Sequence, residues 1–377
     1  MIVTSTSWHK RRPLLLSNFV LTYRTSIPYQ DLLNNMDLTI FVLTCITLFI
    51  YAYRSGFFTD LTEPVTVNDP DAICPVSVNY HFSRKCNMVC GFCFHTEKSS
   101  HVSDLPAIKK ALRLLKDSGM RKINFAGGEP FLYPALLATL VEYCKVELGL
   151  ESVSIISNGT KINEKWLVKN AEYIDVLGVS CDSFDEEINI EIGRGTGRNV
   201  EQLFRIAEWC KDLGIIFKLN TVVNAYNWEE DMVSTVERLA PNRWKVFQVL
   251  VVEGENTASA EETANDKRKR DAKRFVITDE QFEHFCEKHK HLDCFVPEPN
   301  NVMKSSYLIL DEYLCFLDKG DGVETQSKPI LDVGVQQALK EIHWDQDAFQ
   351  VRGGVYDWSK EGARGGHDAE KMKALEW

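Results

Sequence analysis

The chain has 377 residues, 44% of them hydrophobic and 26% charged, a composition that suits one large folded domain or two ordinary ones and excludes wholesale disorder and a multi-pass membrane protein. With 43 basic and 54 acidic residues the net charge is −11, so direct nucleic-acid binding is not advertised and any anion site must be local. Eleven cysteines, unevenly spaced and without a cleavable signal pattern, read as reduced thiols or ligands in a cytosol-facing compartment rather than as a secreted disulfide scaffold.

Residues 1–71 form an N-terminal region of different character. The first thirty hold no acid but carry Lys10, Arg11, Arg12 and Arg24, a transit-peptide-like composition that is set aside from the fold. Leu38 to Tyr53 are uncharged and mostly apolar. As a helix they reach roughly 24 Å, short of the roughly 30 Å hydrocarbon core. A full span with basic residues in front of it would put the main domain across the membrane. A membrane-associated helix lying in the cytosolic leaflet, or translation from Met36, removes that conflict.

From 72 to 254 short β-rich runs alternate with helical patterns in six units. Strands are predicted at Val76–Phe82, Lys122–Phe125, Ser152–Ser157, Val176–Ser180, Ile215–Asn220 and Trp244–Val249, and helices at Leu105–Asp117, Pro134–Leu148, Asn199–Leu213 and Glu229–Leu239. The fold class is therefore α/β, a partial (β/α)6 TIM-like barrel. Residues 255–377 read as a charged insertion followed by a C-terminal extension. Within it Cys286, His289, His291 and Cys294 have zinc-like spacing, but the interleaved Glu283, Glu287, Lys288 and Lys290 favour an exposed helix end.

The loop after the first strand contains Cys86, Cys90 and Cys93 in C-x3-C-x2-C spacing. Three such thiolates can hold three irons of a [4Fe-4S] cube and leave the fourth open. A Cys3His zinc site using His95 is the alternative, disfavoured because the loop lies at the C-terminal end of a strand, where such barrels place chemistry. Gly127-Gly128-Glu129-Pro130 follows the second strand and Ser157-Asn158-Gly159 the third. Paired glycines let backbone approach a ligand, and an ionised Glu129 suits an ammonium. Together the three motifs resemble the radical S-adenosylmethionine superfamily. The resemblance implies that the open iron binds the amino and carboxylate groups of S-adenosylmethionine, that the Gly-Gly-Glu-Pro turn meets the same amino group, and that Ser180 and Arg194 also contact the cofactor.

A closer resemblance covers about 72–377. Asn79-Tyr80-His81-Phe82, Cys93-Phe94-His95-Thr96, Ser180-Cys181-Asp182-Ser183-Phe184-Asp185, Arg243-Trp244-Lys245-Val246-Phe247-Gln248 and Tyr307 to Tyr313 are similar to the viperin family of antiviral radical enzymes. This implies conversion of a nucleoside triphosphate, CTP or UTP, to its 3'-deoxy-3',4'-didehydro form, by removal of the ribose 4' hydrogen, loss of the 3' hydroxyl as water, and uptake of one electron and one proton. Ala126 stands where that family leads us to expect Ser, and the charged stretch 255–274 is long.

Strand alternation bears on the substrate independently. Ser77, Asn79 and His81 share one face, as do Lys122 and Asn124, Lys218 and Asn220, and Arg243 and Lys245, with mostly apolar residues between them. With the polar faces inward, Lys122, Lys218, Arg243 and Lys245 would hold a triphosphate, and Asn79 and Asn220 the ribose or base. Snorkelling of the lysines to solvent is the plainer alternative. Tyr307 is the candidate donor of the final proton or hydrogen, against simple aromatic packing. By resemblance Lys328 and Arg352 close over the phosphates, and Trp377 engages the cytosolic iron-sulfur assembly machinery. By the same resemblance the protein sits on the cytosolic face of the endoplasmic reticulum and on lipid droplets. A radical enzyme acting on a peptide or tRNA, and a membrane-tethered interaction protein, are the alternative functions.

Overall fold

The computed structural model describes residues 73–303, 305–320, 322–351 and 354. The predicted membrane helix at 38–53, Arg352 and Trp377 lie outside the described residues.

One sheet organises the described chain. Strands β1 (Ser77–His81), β2 (Lys122–Ala126), β3 (Ser152–Ser157), β4 (Val176–Ser180), β5 (Ile216–Val223), β6 (Arg243–Gln248) and β7 (Phe295–Glu298) are parallel and adjacent in sequence order. The helices between them are α1 (Leu105–Asp117), α2 (Pro134–Glu142), α3 (Glu164–Asn170), α4 (Glu186–Ile192), α5 (Asn199–Leu213), α6 (Val233–Leu239), α7 (Ala260–Asn265) and α8 (Asp279–His289). On the other side of β1 lies β8 (Ile309–Leu310), parallel to it, followed by antiparallel β9 (Cys315–Asp318) and β10 (Thr325–Pro329). The result is a partial barrel-like α/β sheet.

Local sequence explains most boundaries. Helix α1 starts where Asp104 accepts from the Ala107 N–H, with Pro106 in its first turn, and buries Ile108, Ala111, Leu112 and Leu115. Helices α4 and α5 stop at Gly193 and Gly214, both left-handed. The outward residues of the strands, among them Val78, Tyr80, Ile123, Phe125, Val153, Ile155, Leu177, Leu219, Trp244 and Val246, form the apolar layer with the helices.

Several expectations are corrected. The sheet has a further parallel strand, β7, beyond the six expected units. Strand β7 is four residues long and contains Pro297, which in a sequence argues against a strand. The helix expected to run to Leu148 passes into a π-turn at Tyr143–Glu147. The one expected from Glu229 begins only at Val233, and the Glu230 side chain before it accepts the Phe184 N–H. The helix end expected to be exposed is so at Glu283, Glu287, Lys290 and His291, but Phe282, Phe285 and His289 are buried, and His289 Nε2 accepts from the Met232 N–H at 3.0 Å. In the charged stretch, α7 and Lys267 to Lys269 are solvated, but Glu255, Arg270 and Ala272 are buried.

Candidate active site at the strand ends

The cysteine loop is braced from three sides. Val89 and Gly91 donate backbone hydrogen bonds to Gly193 and Ile192, and Gly128 and Glu129 donate to Ser83 and Lys85. A Cβ on Gly127 would lie 2.4 Å from the Ser83 carbonyl oxygen, and one on Gly128 2.0 Å from that of Lys85. The paired glycines therefore admit the backbone that leads into Cys86. Gly91 in turn makes room for the Phe275 ring, which stands edge-on to Phe92.

All three thiols are free. A small apolar shell of Met88, Phe92, Ile192, Val249, Ala272 and Phe275 surrounds Cys90. Burial pushes the Cys86 thiol up to about 11 and that of Cys90 up to about 12, a desolvation that bound iron would offset. Among the described residues no three His, Cys, Asp or Glu side chains converge on a single ion. A cube instead distributes its thiolates over separate irons, so the donor set suits it. The His95 ring lies edge-on to His81, and its Nδ1 is 3.4 Å from Lys319 Nζ.

Glu129 is 1% exposed and serves its own chain. It accepts from the Ser157 hydroxyl at 2.8 Å, the Phe131 N–H at 3.0 Å and the Asn158 N–H at 2.7 Å. Burial raises its carboxyl pKa, while these donors and the Arg194 charge pull the other way. Asn158 donates to Asn87 in the cysteine loop at 3.0 Å. Asn158, Ser180, Thr196, Arg198 and Gln202 line a polar cavity beside these strand ends. Arg194 pairs with the fully buried Asp182 and stands 5.8 Å from the Phe92 ring centroid. The Asp182 carboxylate also accepts from the Val222 N–H at 2.9 Å. Its role in holding Arg194 escaped the sequence reading, although Asp182 lies directly beyond the end of β4.

Strand register assembles the inward polar face. Ser77 pairs with Lys122 and Asn79 with Asn124; Gly178, Lys218 and Arg243 align across β4 to β6, and Ser180, Asn220 and Lys245 align one layer above. Asn124 donates to Asn79 at 3.0 Å. Lys122, Lys218 and Arg243 are buried rather than snorkelling. A Cβ on Gly178 would lie 2.7 Å from Ile156 Cδ1, so the glycine makes room for that side chain.

The remaining predicted residues divide. Lys245 Nζ pairs with Glu298 and lies 2.9 Å from the Tyr307 hydroxyl, which itself donates to Glu298. Glu298 had no signal in the sequence, because Pro297 masks its strand. Lys328 sits exposed on β10, 3.9 Å from Glu341, and is not brought to the inward cations.

Comparison with known proteins agrees with this geometry. The Radical SAM superfamily profile matches residues 80–239. The S-adenosylmethionine-dependent nucleotide dehydratase RSAD2 of Siniperca chuatsi is 47% identical over 341 residues, covering 86% of this chain and 94% of the relative. The protein of that name from Danio rerio is 51% identical over 290 residues, covering 76% and 79%. The solved structure of histidine-tagged anSMEcpe with bound AdoMet superposes with a TM-score of 0.52 at 15% identity, covering 73% of this chain and 78% of that one, and speaks to the fold alone. With two relatives near half identity over most of its length, and the thiol loop and Gly-Gly-Glu-Pro turn joined at its strand ends, the chain belongs to the viperin family of radical S-adenosylmethionine proteins.

Proposed function

We propose that this protein is a radical S-adenosylmethionine enzyme that dehydrates a nucleoside triphosphate, CTP or UTP, to the 3'-deoxy-3',4'-didehydro nucleotide. The reading rests chiefly on one observation: buried Lys122, Lys218 and Arg243 point into the same interior whose upper rim carries the three-thiol loop. Lys122 begins β2, so it lies roughly 13 Å below that strand's upper end. This interval suits a nucleotide with its phosphates down and its ribose up. A triphosphate is the kind of anion that such a set of guanidinium and ammonium groups suits.

Cys86, Cys90 and Cys93 would hold a [4Fe-4S] cluster, with S-adenosylmethionine against Asn158, Ser180 and Arg194. When bound, these cofactors supply the one-electron cleavage that yields a 5'-deoxyadenosyl radical able to take the ribose 4' hydrogen. The protein's own part is positional. Glu129 locks the ends of β2 and β3, Asp182 orients Arg194, the Phe92 and Phe275 shell keeps water from Cys90, and Asn79 and Asn220 stand toward the sugar or base. Residues 38–53 are proposed to hold the enzyme on the cytosolic face of the endoplasmic reticulum and on lipid droplets, and Trp377 to engage the cytosolic iron-sulfur assembly machinery. Sequence alone supports these last assignments.

The test is to incubate cluster-loaded protein with CTP, UTP, GTP and ATP separately and measure 5'-deoxyadenosine. One pyrimidine triphosphate should stimulate its formation, and Cys90→Ala should abolish both this and the iron-sulfur absorbance. Failure of every nucleotide to stimulate cleavage would sink the nucleotide reading.

A further inference from the structure

Glu298 ends β7 with 1% of its surface exposed. Through one carboxylate oxygen it pairs with Lys245 Nζ, and through the other it accepts the Tyr307 hydroxyl. Lys245 Nζ is 2.9 Å from the same phenolic oxygen. The phenol's hydrogen is therefore directed at a carboxylate. Lys245 and Asn220 are register partners on the inward face, so this trio belongs to the wall of the same interior.

The inference rests on the dehydration proposed above. That reaction forms no new C–H bond, because the product is the substrate less water. Once the 4' hydrogen has been taken, the sugar needs one electron and the departing 3' hydroxyl one proton. A phenol already hydrogen-bonded to a carboxylate can release the two to different places.

We propose that Glu298 is a positioning residue for Tyr307 and the acceptor of its phenolic proton. The C3'–O bond breaks, and the hydroxyl leaves as water with a proton drawn from the Lys245–Glu298 pair. Tyr307 gives one electron to the resulting sugar cation radical, and its phenolic proton restores the pair. The sugar is reduced by one electron while Tyr307 becomes a neutral phenoxyl. A one-electron reductant of the class that reduces the cluster, with one solvent proton, then resets the phenol.

The experiment compares parent, Glu298→Gln, Glu298→Asp, Tyr307→Phe and the Glu298→Gln/Tyr307→Phe double variant, all cluster-loaded and supplied with CTP or UTP. It records didehydro nucleotide formed per 5'-deoxyadenosine, and the phenoxyl signal by electron paramagnetic resonance with ring-deuterated tyrosine under limiting reductant. Glu298→Gln should still cleave S-adenosylmethionine, lose the phenoxyl signal, and give a product ratio lower by about tenfold or more. Glu298→Asp should recover much of that ratio, and the double variant should fall no further than Tyr307→Phe. Melting temperature and nucleotide affinity of the cluster-free variants verify folding. An unchanged ratio in Glu298→Gln overturns the role of Glu298. An unchanged ratio in Tyr307→Phe overturns the proposal even where Glu298→Gln does not fold. If the parent itself shows no nucleotide-stimulated cleavage, the dehydration reading falls first and this inference with it.

Discussion

At the scale of single residues, Glu129 shows how one buried carboxylate joins two strand ends. Both of its carboxylate oxygens accept from donors of the chain itself. Replacing it by Gln puts an NH2 group against an N–H donor that the carboxylate now satisfies. A buried donor left without its partner costs about 1–3 kcal/mol. We expect Glu129→Gln to lower the unfolding free energy of the cluster-free protein by that amount in urea titration. A stability equal to the parent's would mean that these hydrogen bonds contribute nothing net.

Among elements, the loop carrying the thiols is held by its neighbours more than by its own sequence. Gly128 is the tightest of these contacts: a Cβ there would meet the Lys85 carbonyl oxygen at 2.0 Å, and backbone cannot move aside as a side chain can. Gly128→Ala should therefore displace the loop at a cost of about 1–3 kcal/mol, and iron content after reconstitution should fall well below the parent's while circular dichroism still reports a folded domain. Full iron loading would count against the brace. The same contrast explains what the sequence made legible. The spacing of Cys86, Cys90 and Cys93, the capped run of α1 and the alternation in β2 and β6 are local patterns, and they predicted elements and inward polar faces closely. The partnership of Glu298 with Lys245 and Tyr307, and of Asp182 with Arg194, joins residues from different elements, and no local period encodes such pairs. Strand β7 stayed hidden because proline within a short run reads as a break.

Over the whole described domain, a buried charge network ties the loop before Cys86 to the charged stretch and the far strands. Arg84 pairs with Glu255, Glu312 and Glu324, and Lys319 with Glu255 and Glu324. Burial alone would raise the Glu255 carboxyl, but its contact with Glu324 and the charges of Lys319 and Arg84 outweigh this and hold it below its ordinary value of 4.5. A depressed acid contributes stability that is present above about pH 4.5 and lost as pH falls toward the folded-state value. The cluster-free parent should thus lose unfolding free energy steeply below about pH 4.5. Glu255→Gln should be less stable at neutral pH, because it leaves buried cations undercompensated, with a shallower acid slope; an identical slope would remove Glu255 from the cause. The ends of the chain call for a separate measurement in cells. Leu38 to Tyr53 are apolar enough to lie in a leaflet but short for a span, and cluster assembly needs a reducing compartment. Deleting 38–53 should release the protein from microsomes without changing its reconstituted activity, whereas deleting Trp377 should lower cluster content in cells and leave reconstituted activity intact. Protease protection of the catalytic domain in intact microsomes would overturn the first expectation, and normal cluster loading without Trp377 the second.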